Sequence, residues 1–226
     1  MTAREFLGVV YEVARKDVLL ESRTKSTINS SVVFASLIVV VFSFAFVRRF
    51  ENLGGVGRGA LWIAFVFSGT VGMTRSASVE ESDSAIEGLM LVPVDRSAIY
   101  VGKVLSTSLF VTVVGSLSLV LVTIFLDYPI GIAESPLVIG VVVVASLGFS
   151  SVGVLMSILS SKSNLSETVL PILLIPLMIP VLLSGIELTR VVTEGGSYAG
   201  WLRTLLVYDG IVFLAGLMTF GYVLEE

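Results

Sequence analysis

The chain has 226 residues, of which 55% are hydrophobic and 14% charged, with a mean hydropathy of +0.99 and a net charge of −4. Soluble domains of this size carry about 25% charged residues, so this composition indicates a membrane protein, and the acidic balance argues against a nucleic-acid partner. Because the chain has no Cys and no His, a disulfide framework, a Ser-His-Asp relay, a His- or Cys-based zinc site and a bis-His haem site are excluded.

The N-terminal segment, residues 1–28, has the spacing of an amphipathic helix. Its apolar positions on one helical face are Phe6, Leu7, Val10, Tyr11, Ala14 and Val18. The segment lacks the apolar core of a signal peptide, so we expect none here. It predicts a helix that lies in the membrane interface and leads into the first span. The alternative is a soluble amphipathic tail.

Six apolar segments are long enough to cross a bilayer, which requires about 20 helical residues. The predicted spans cover residues 29–47, 59–74, 104–126, 136–161, 168–186 and 204–224. These runs are too long and too uniformly apolar for barrel strands. The predicted fold is therefore an all-α membrane protein, with one six-span domain over residues 29–226.

The basic residues predict the orientation of these spans. Nine of the fourteen Lys and Arg residues lie in the N-terminal segment and in the loops on the same side of the membrane. The side with more basic residues is usually cytoplasmic. We therefore expect both termini to be cytoplasmic and the loop over residues 127–135 to face outward.

The fifth predicted span contains Pro171, Pro176 and Pro180. Each proline removes a backbone donor and bends a helix. Two interpretations remain open, a hinge or gate that moves during function and a static kink that packing sets.

Asp209 is the only carboxylate inside a predicted span. It either caps a helix that starts at Gly210 or faces a polar site near the outer end of the sixth span. The neighbouring Trp201 and Tyr208 suit an interfacial stretch and favour the cap. A proton- or sodium-coupled carrier would normally carry more buried carboxylates.

The loop over residues 75–103 is the largest hydrophilic segment after the N-terminus. Its spacing predicts a short cytoplasmic helix over residues 78–92, with Glu80 and Glu81 in the first turn and Pro93 at the end. The acidic residues disfavour the anionic cytoplasmic leaflet as the surface it contacts. A protein partner is therefore expected.

This loop resembles the coupling loop of type-2 ABC exporters, where a pattern E-G-x-x-x-x-P-x-x-R-x-x-x-x-x-G-K follows an acid-rich helix. In that family the loop docks into a cleft of the ATPase. The residues that the resemblance assigns to this coupling are Glu80, Glu81, Glu87, Gly88, Pro93, Arg96, Gly102 and Lys103.

Two further stretches resemble haem exporter protein B, the permease subunit of the cytochrome c maturation ABC transporter. They are "ARKDVLLESRTKSTINSSVVFASLIVVVFSFAF" and "LPILLIPLMIPVLLSG". The resemblance implies a permease in a prokaryotic inner membrane that works as a homodimer with two copies of an ABC ATPase. It also implies a haem-handling membrane subunit and a haem chaperone as partners.

The chain has no G-x-x-x-x-G-K-[ST] phosphate loop, so it is expected not to be an enzyme by itself. ATP would bind to the partner ATPase and haem to another partner subunit, with no cofactor on this chain. Two alternatives remain, a type-2 ABC permease for a drug, lipid or polysaccharide, and a membrane assembly scaffold that transports nothing.

Overall fold

The computed structural model describes residues 2–46, 54–82, 95–161 and 166–225. Within these ranges the chain forms helices joined by short connections. The helices are α1 (Ala3–Thr24), α2 (Ser26–Phe46), α3 (Gly54–Ser82), α4 (Arg96–Phe125), α5 (Ser135–Ser161), α6 (Ser166–Leu177), α7 (Ile179–Glu194) and α8 (Ala199–Glu225).

Among the described residues, five uninterrupted helices are long and apolar enough to cross a membrane. Their candidate spans are Thr27–Phe46, Gly54–Ser76, Arg96–Phe125, Ser135–Ser157 and Ala199–Gly221. The prediction of an all-helical, multi-pass architecture is therefore confirmed for this part of the chain.

The predicted fifth span, residues 168–186, is bent at Met178. This residue keeps a helical backbone (φ −81°, ψ −8°), its N–H donates to the Leu174 carbonyl, and its carbonyl accepts the Leu182 N–H. The structure divides it into α6 and α7, with Met178 between them. Pro176 lies in the last turn of α6, and Pro180 is among the first residues of α7. Neither proline has an N–H to continue the helical ladder, and proline suits the start of a helix, so the break falls between them.

The predicted N-terminal helix ends earlier than residue 28. Thr2 and Glu5 form a capping box at the start of α1, and Lys25 ends the helix in the left-handed conformation with φ 51°. The Glu21 carboxylate accepts the Ile28 N–H at 2.8 Å. Because this carboxylate satisfies a free donor at the start of α2, the chain can turn sharply between the two helices.

The interior of the bundle is aromatic and aliphatic. The rings of Trp62, Phe65 and Phe149 pack edge to face in sequence, with centroid separations of 5.2 and 5.7 Å. The outer surface is apolar as well, and Phe44 and Met218 are 84% and 72% exposed. An apolar exterior around an apolar core is the arrangement that lipid requires.

Two ends of the bundle can be distinguished by their contacts. At the terminal end, α1 packs on the beginning of α4, and Arg96 in α4 donates to the Gly221 carbonyl near the end of α8. At the loop end, Arg58 near the beginning of α3 pairs with Glu194, the last residue of α7. The Tyr128 ring, in the connection between α4 and α5, also lies at the loop end against Gly57.

Candidate functional site

Three residues of the predicted coupling loop, Glu87, Gly88 and Pro93, lie outside the described residues. Glu80 and Glu81 are described, and their predicted position in the first turn of a separate helix is wrong. They lie in the last turn of α3, which continues to Ser82. The reason is that the sequence between Thr74 and Ser82 holds no Gly or Pro that would stop the helix.

Arg96 lies in the first turn of α4, directly after the N-cap residue Asp95. The Asp95 carboxylate accepts the Ser97 N–H at 2.9 Å, and its hydrogen bonds with Ser97 lower the pKa of Asp95. Arg96 Nη1 donates to the Gly221 carbonyl at 3.0 Å. Because a cation near a helix C-terminus complements the carbonyls there, this bond ties α4 to α8.

Gly102 lies where α4 crosses α1. A Cβ atom at this position would lie 2.8 Å from Val13 Cβ and 3.0 Å from the Val10 carbonyl oxygen, so any larger residue would push α1 away. Next to the crossing, Ser106 Oγ donates to Asp17 Oδ2 at 3.1 Å. The glycine therefore sets the close approach of the two helices.

Lys103 follows this glycine and is buried, with 6% of its surface exposed. Arg96, Gly102, Lys103 and Ser106 together form what we call the α4 junction. It begins two residues after the end of the segment 83–94 and joins α4 to both α1 and α8. The structure thus places three of the eight predicted coupling residues on one helix and in its packing interfaces.

The three predicted hinge prolines lie in different parts of the α6–α7 segment. Pro171 lies within α6 and does not interrupt it, whereas Pro176 and Pro180 flank the break. The Tyr208 hydroxyl, from α8, donates to the Leu177 carbonyl at the break. A carbonyl at a helix end thus has a partner from a neighbouring helix.

The prediction that Asp209 caps a helix starting at Gly210 is wrong. Asp209 lies inside α8, ten residues after Ala199 and roughly 15 Å along the helix from its start. Residues 199–209 contain no proline, and Gly200 falls in the first turn, so the helix begins well before Gly210.

Asp209 faces α5 and is 8% exposed. Its carboxylate packs directly on Gly148, where an added Cβ atom would overlap it. Neither carboxylate oxygen has a hydrogen-bond partner among the described residues. A buried carboxylate without a partner is costly, which makes this an exceptional position in the α5–α8 interface.

The contacts between α3 and α7 were not predicted from the sequence. Trp62 Nε1 donates to Thr189 Oγ1 at 3.0 Å, and the Trp62 ring lies on Gly185. Four residues earlier in α3, Arg58 pairs with Glu194. The four-residue spacings of 58 with 62 and of 185 with 189 place each pair on one face of its own helix, but they do not indicate which helix that face contacts.

Tyr128 lies beside this α3–α7 contact at the loop end, with its ring against Gly57 of α3. It is 2% exposed, and its hydroxyl makes no hydrogen bond among the described residues. Burial raises the pKa of Tyr128, and the Thr193 hydroxyl and the Arg58 guanidinium lie close enough to oppose that rise. The loop end thus holds a guanidinium, a carboxylate and two hydroxyl groups within a short distance of one another.

The remaining side chains offer no site for a metal ion in the part of the chain that is described. There, no three His, Cys, Asp or Glu residues lie close enough together to bind one. The polar groups brought together here are the loop-end cluster of Arg58, Tyr128, Thr193 and Glu194. Asp209 lies apart from them, and the α4 junction makes contacts between helices.

Comparison with protein families gives a match to the model described as "CcmB protein" over residues 8–222. The matched range begins in α1 and ends in α8, so the α4 junction, the α6–α7 break, Asp209 and the loop-end cluster all fall inside it. A comparison with curated proteins found no match. The chain therefore belongs to the CcmB protein family, the membrane permease subunits of haem transport in cytochrome c biogenesis.

Proposed function

We propose that this chain is the permease subunit of an ABC transport complex in a prokaryotic inner membrane. A separate ATPase, in two copies, would hydrolyse ATP and drive haem export or the release of a haem-loaded chaperone. Residues 29–226 would form the permease domain and residues 75–103 its coupling loop. The observation that carries the proposal is the family match over residues 8–222, which includes all of residues 75–103 and the α4 junction.

The α4 junction supports a mechanical role for the loop. Any displacement of the segment 83–94 acts on the first turn of α4, because Asp95 and Arg96 follow it directly. Arg96 is bonded to α8, and Gly102 lies against α1. Movement of the loop would therefore shift α1, α4 and α8 together, because packed interfaces transmit displacement.

A second set of contacts would carry this movement from α8 to the loop end. Asp209 in α8 packs on α5, and Tyr208 holds the Leu177 carbonyl at the α6–α7 break. A shift of α8 would thus act on the segment between Pro176 and Pro180. In this proposal the break is the hinge about which α7 moves, and the static kink is the alternative.

The proposal assigns no catalytic residue and no cofactor to this chain. ATP would bind to the partner ATPase, and haem iron would be ligated by a partner subunit that carries histidine. The terminal end would be cytoplasmic, as the basic residues predict, and the loop end would face outward. Two copies of the chain would pair with the two ATPase subunits.

The coupling assignment is tested by Glu87→Arg and Gly88→Trp. We expect either change to weaken co-purification of the ATPase while the protein still inserts into the membrane, because a reversed charge or a bulky ring would disrupt a docked surface. A docked contact of this kind is worth about 2–4 kcal/mol. The measurement is the amount of ATPase recovered with the tagged complex in mild detergent.

The matched control is Arg203→Glu, which reverses an exposed charge in α8 near the loop end. It should leave the recovery of ATPase unchanged. If both loop variants recover as much ATPase as the unmodified chain and support normal cytochrome c maturation, the assignment of the coupling loop is wrong.

A further inference from the structure

The ion pair at the loop end joins two charges that each oppose the dipole of their own helix. Arg58 is a cation near the N-terminus of α3, and Glu194 is an anion at the C-terminus of α7. Their side chains approach to 2.5 Å. Helix stability alone would favour the reverse placement of these charges. The ion pair between them therefore offsets the unfavourable interaction of each charge with its own helix dipole.

The two partners differ in how firmly they are held. The Arg58 side chain is 11% exposed, whereas that of Glu194 is 49% exposed. Glu194 is followed by Gly195 at φ 85° and Gly196 at φ 133°, and neither glycine is crowded. Because glycine adopts such conformations at little cost, the end of α7 can rotate and withdraw the Glu194 carboxylate while Arg58 stays in place.

Withdrawal of Glu194 would leave the Arg58 guanidinium without this acceptor. The Arg58 guanidinium provides a planar fork of N–H groups, and the buried Tyr128 hydroxyl has no partner among the described residues. Tyr128 is fixed because its ring packs on Gly57 in the first turn of α3. A guanidinium, a phenol and a helix N-terminus together form a binding site for a carboxylate.

We infer that Arg58 and Tyr128 of the loop-end cluster bind a carboxylate from outside the chain, and that Glu194 occupies this site when no ligand is present. The inference rests on the proposed function, in which the complex handles haem. The propionate groups of haem are the carboxylates that we expect at this site. An acidic side chain of a partner would present the same chemistry. Since this chain has no His or Cys, the site would hold a propionate while a partner ligates the iron.

The binding can be measured through Trp62, which lies four residues from Arg58. The chain has two Trp residues, so Trp201→Phe leaves Trp62 as the only tryptophan reporter. Haem and haem dimethyl ester, whose propionates are blocked, are titrated separately into this variant in lipid nanodiscs. We expect saturable quenching by haem and an affinity for the ester that is lower by about tenfold.

Two substitutions test the role of Glu194 as an internal ligand. Glu194→Gln should increase the affinity for haem by about threefold to tenfold, because the competing carboxylate is removed. Arg58→Gln should reduce the affinity to that for the ester. The matched control is Glu187→Gln, which removes the other paired carboxylate of α7, bonded to Arg190 at 2.8 Å, and should change nothing.

The fold of each variant is checked by helical circular dichroism and gel filtration. Glutarate, added as a competitor, separates the two sources of the carboxylate. Relief of quenching at millimolar glutarate supports a site open to any carboxylate, including one from a protein, and continued quenching supports a site that needs the porphyrin as well.

The inference is overturned if the ester binds as tightly as haem, or if Glu194→Gln fails to tighten binding. Recovery of the ATPase with the complex would be unaffected, so this failure is distinct from failure of the proposed function.

Discussion

Single glycines decide where large or polar side chains from another helix can reach the backbone. Gly185 receives the Trp62 ring of α3, and Gly148 receives the Asp209 carboxylate of α8. At both positions a Cβ atom would overlap the incoming side chain. Since no hydrophobic effect holds helices together in lipid, such close contacts carry much of the packing energy. They also allow a carboxylate to be buried where no other residue would admit it.

Asp209→Asn tests what this carboxylate contributes. We expect the thermal unfolding midpoint in detergent to rise by about 2–4 °C, because the amide has a similar shape and carries no charge into the interface, a gain of about 1 kcal/mol for a chain of this size. Differential scanning fluorimetry with Trp62 and Trp201 measures the midpoint.

The control for this change is Asp127→Asn in the exposed connection between α4 and α5. Asp127 has φ 51°, a conformation that Asn also tolerates, so this variant should match the unmodified protein. A lower midpoint for Asp209→Asn alone would contradict the prediction and would show that the carboxylate has a favourable partner in the assembled protein.

At the scale of elements, α1 packs against the bundle through buried side chains and is part of its core. Val10 and Val13 are buried in its contact with α4, whereas Leu7 and Tyr11 are 65% and 63% exposed. Helix α1 therefore has one apolar face for protein and another free for lipid. In the proposed function, its position next to the start of α4 would make α1 the first helix displaced by movement of residues 83–94.

Gly102→Leu should separate α1 from α4, because a leucine would collide with Val13. Proximity is reported by Asp17→Cys with Ser106→Cys, whose native side chains are 3.1 Å apart, and the chain has no other Cys. We expect a short bis-maleimide linker to join this pair efficiently in the parent protein and at least about fivefold less in Gly102→Leu.

Gly140→Leu is the control for this substitution, since nothing lies within 4 Å of a Cβ atom at Gly140. It should leave the cross-linking yield unchanged. Equal yields in Gly102→Leu and in the parent protein would show that α1 is held by other contacts, and the proposed path from α4 to α1 would be lost.

At the scale of the whole molecule, the contacts fix which helix ends lie together. The beginning of α4, the end of α8 and α1 meet at the terminal end, while the ends of α3 and α7 that carry Arg58 and Glu194 meet at the loop end. The polar cluster and the start of α4 therefore lie at opposite ends of the bundle. In the proposed function this separation would place ATPase movement and the outer binding event on opposite sides of the membrane.

Labelling of introduced cysteines tests the orientation. Ile132 is 95% exposed in the connection between α4 and α5, and Thr2 lies at the exposed start of α1. We expect an impermeant maleimide added to intact cells to label Ile132→Cys and to leave Thr2→Cys unlabelled until the membrane is opened, because the basic residues predict a cytoplasmic N-terminus. The reverse pattern would invert the orientation and would place the loop-end cluster inside the cell.

The haem content of the purified chain tests the proposal that a partner subunit, and not this chain, ligates the haem iron. Stable iron ligation needs His, Cys, Met or Tyr, and the first two are missing from this chain. We expect the isolated subunit to retain no stoichiometric haem in a pyridine haemochrome assay and the complex with its histidine-bearing partner to retain it. A carboxylate contact at Arg58 alone would be too weak to survive purification. One haem per isolated chain would contradict the mechanical role.

The sequence by itself determined the membrane class, the helical composition and the family pattern. These properties are local, since a run of apolar residues becomes a helix in lipid wherever it packs. The break at Met178 could also have been expected, because Pro176 and Pro180 lack the N–H groups that would carry a helix through it.

Only the tertiary structure decided the burial of Asp209 against α5, the crossing at Gly102 and the cluster at the loop end. Asp209 looked like a helix cap because its neighbours suit an interface, but α8 starts ten residues earlier and packs the Asp209 carboxylate on Gly148 of α5. Arg58 and Glu194 are 136 residues apart in sequence. Their pairing depends on the antiparallel approach of α3 and α7, and no periodicity within either helix encodes which residue of the other will face it.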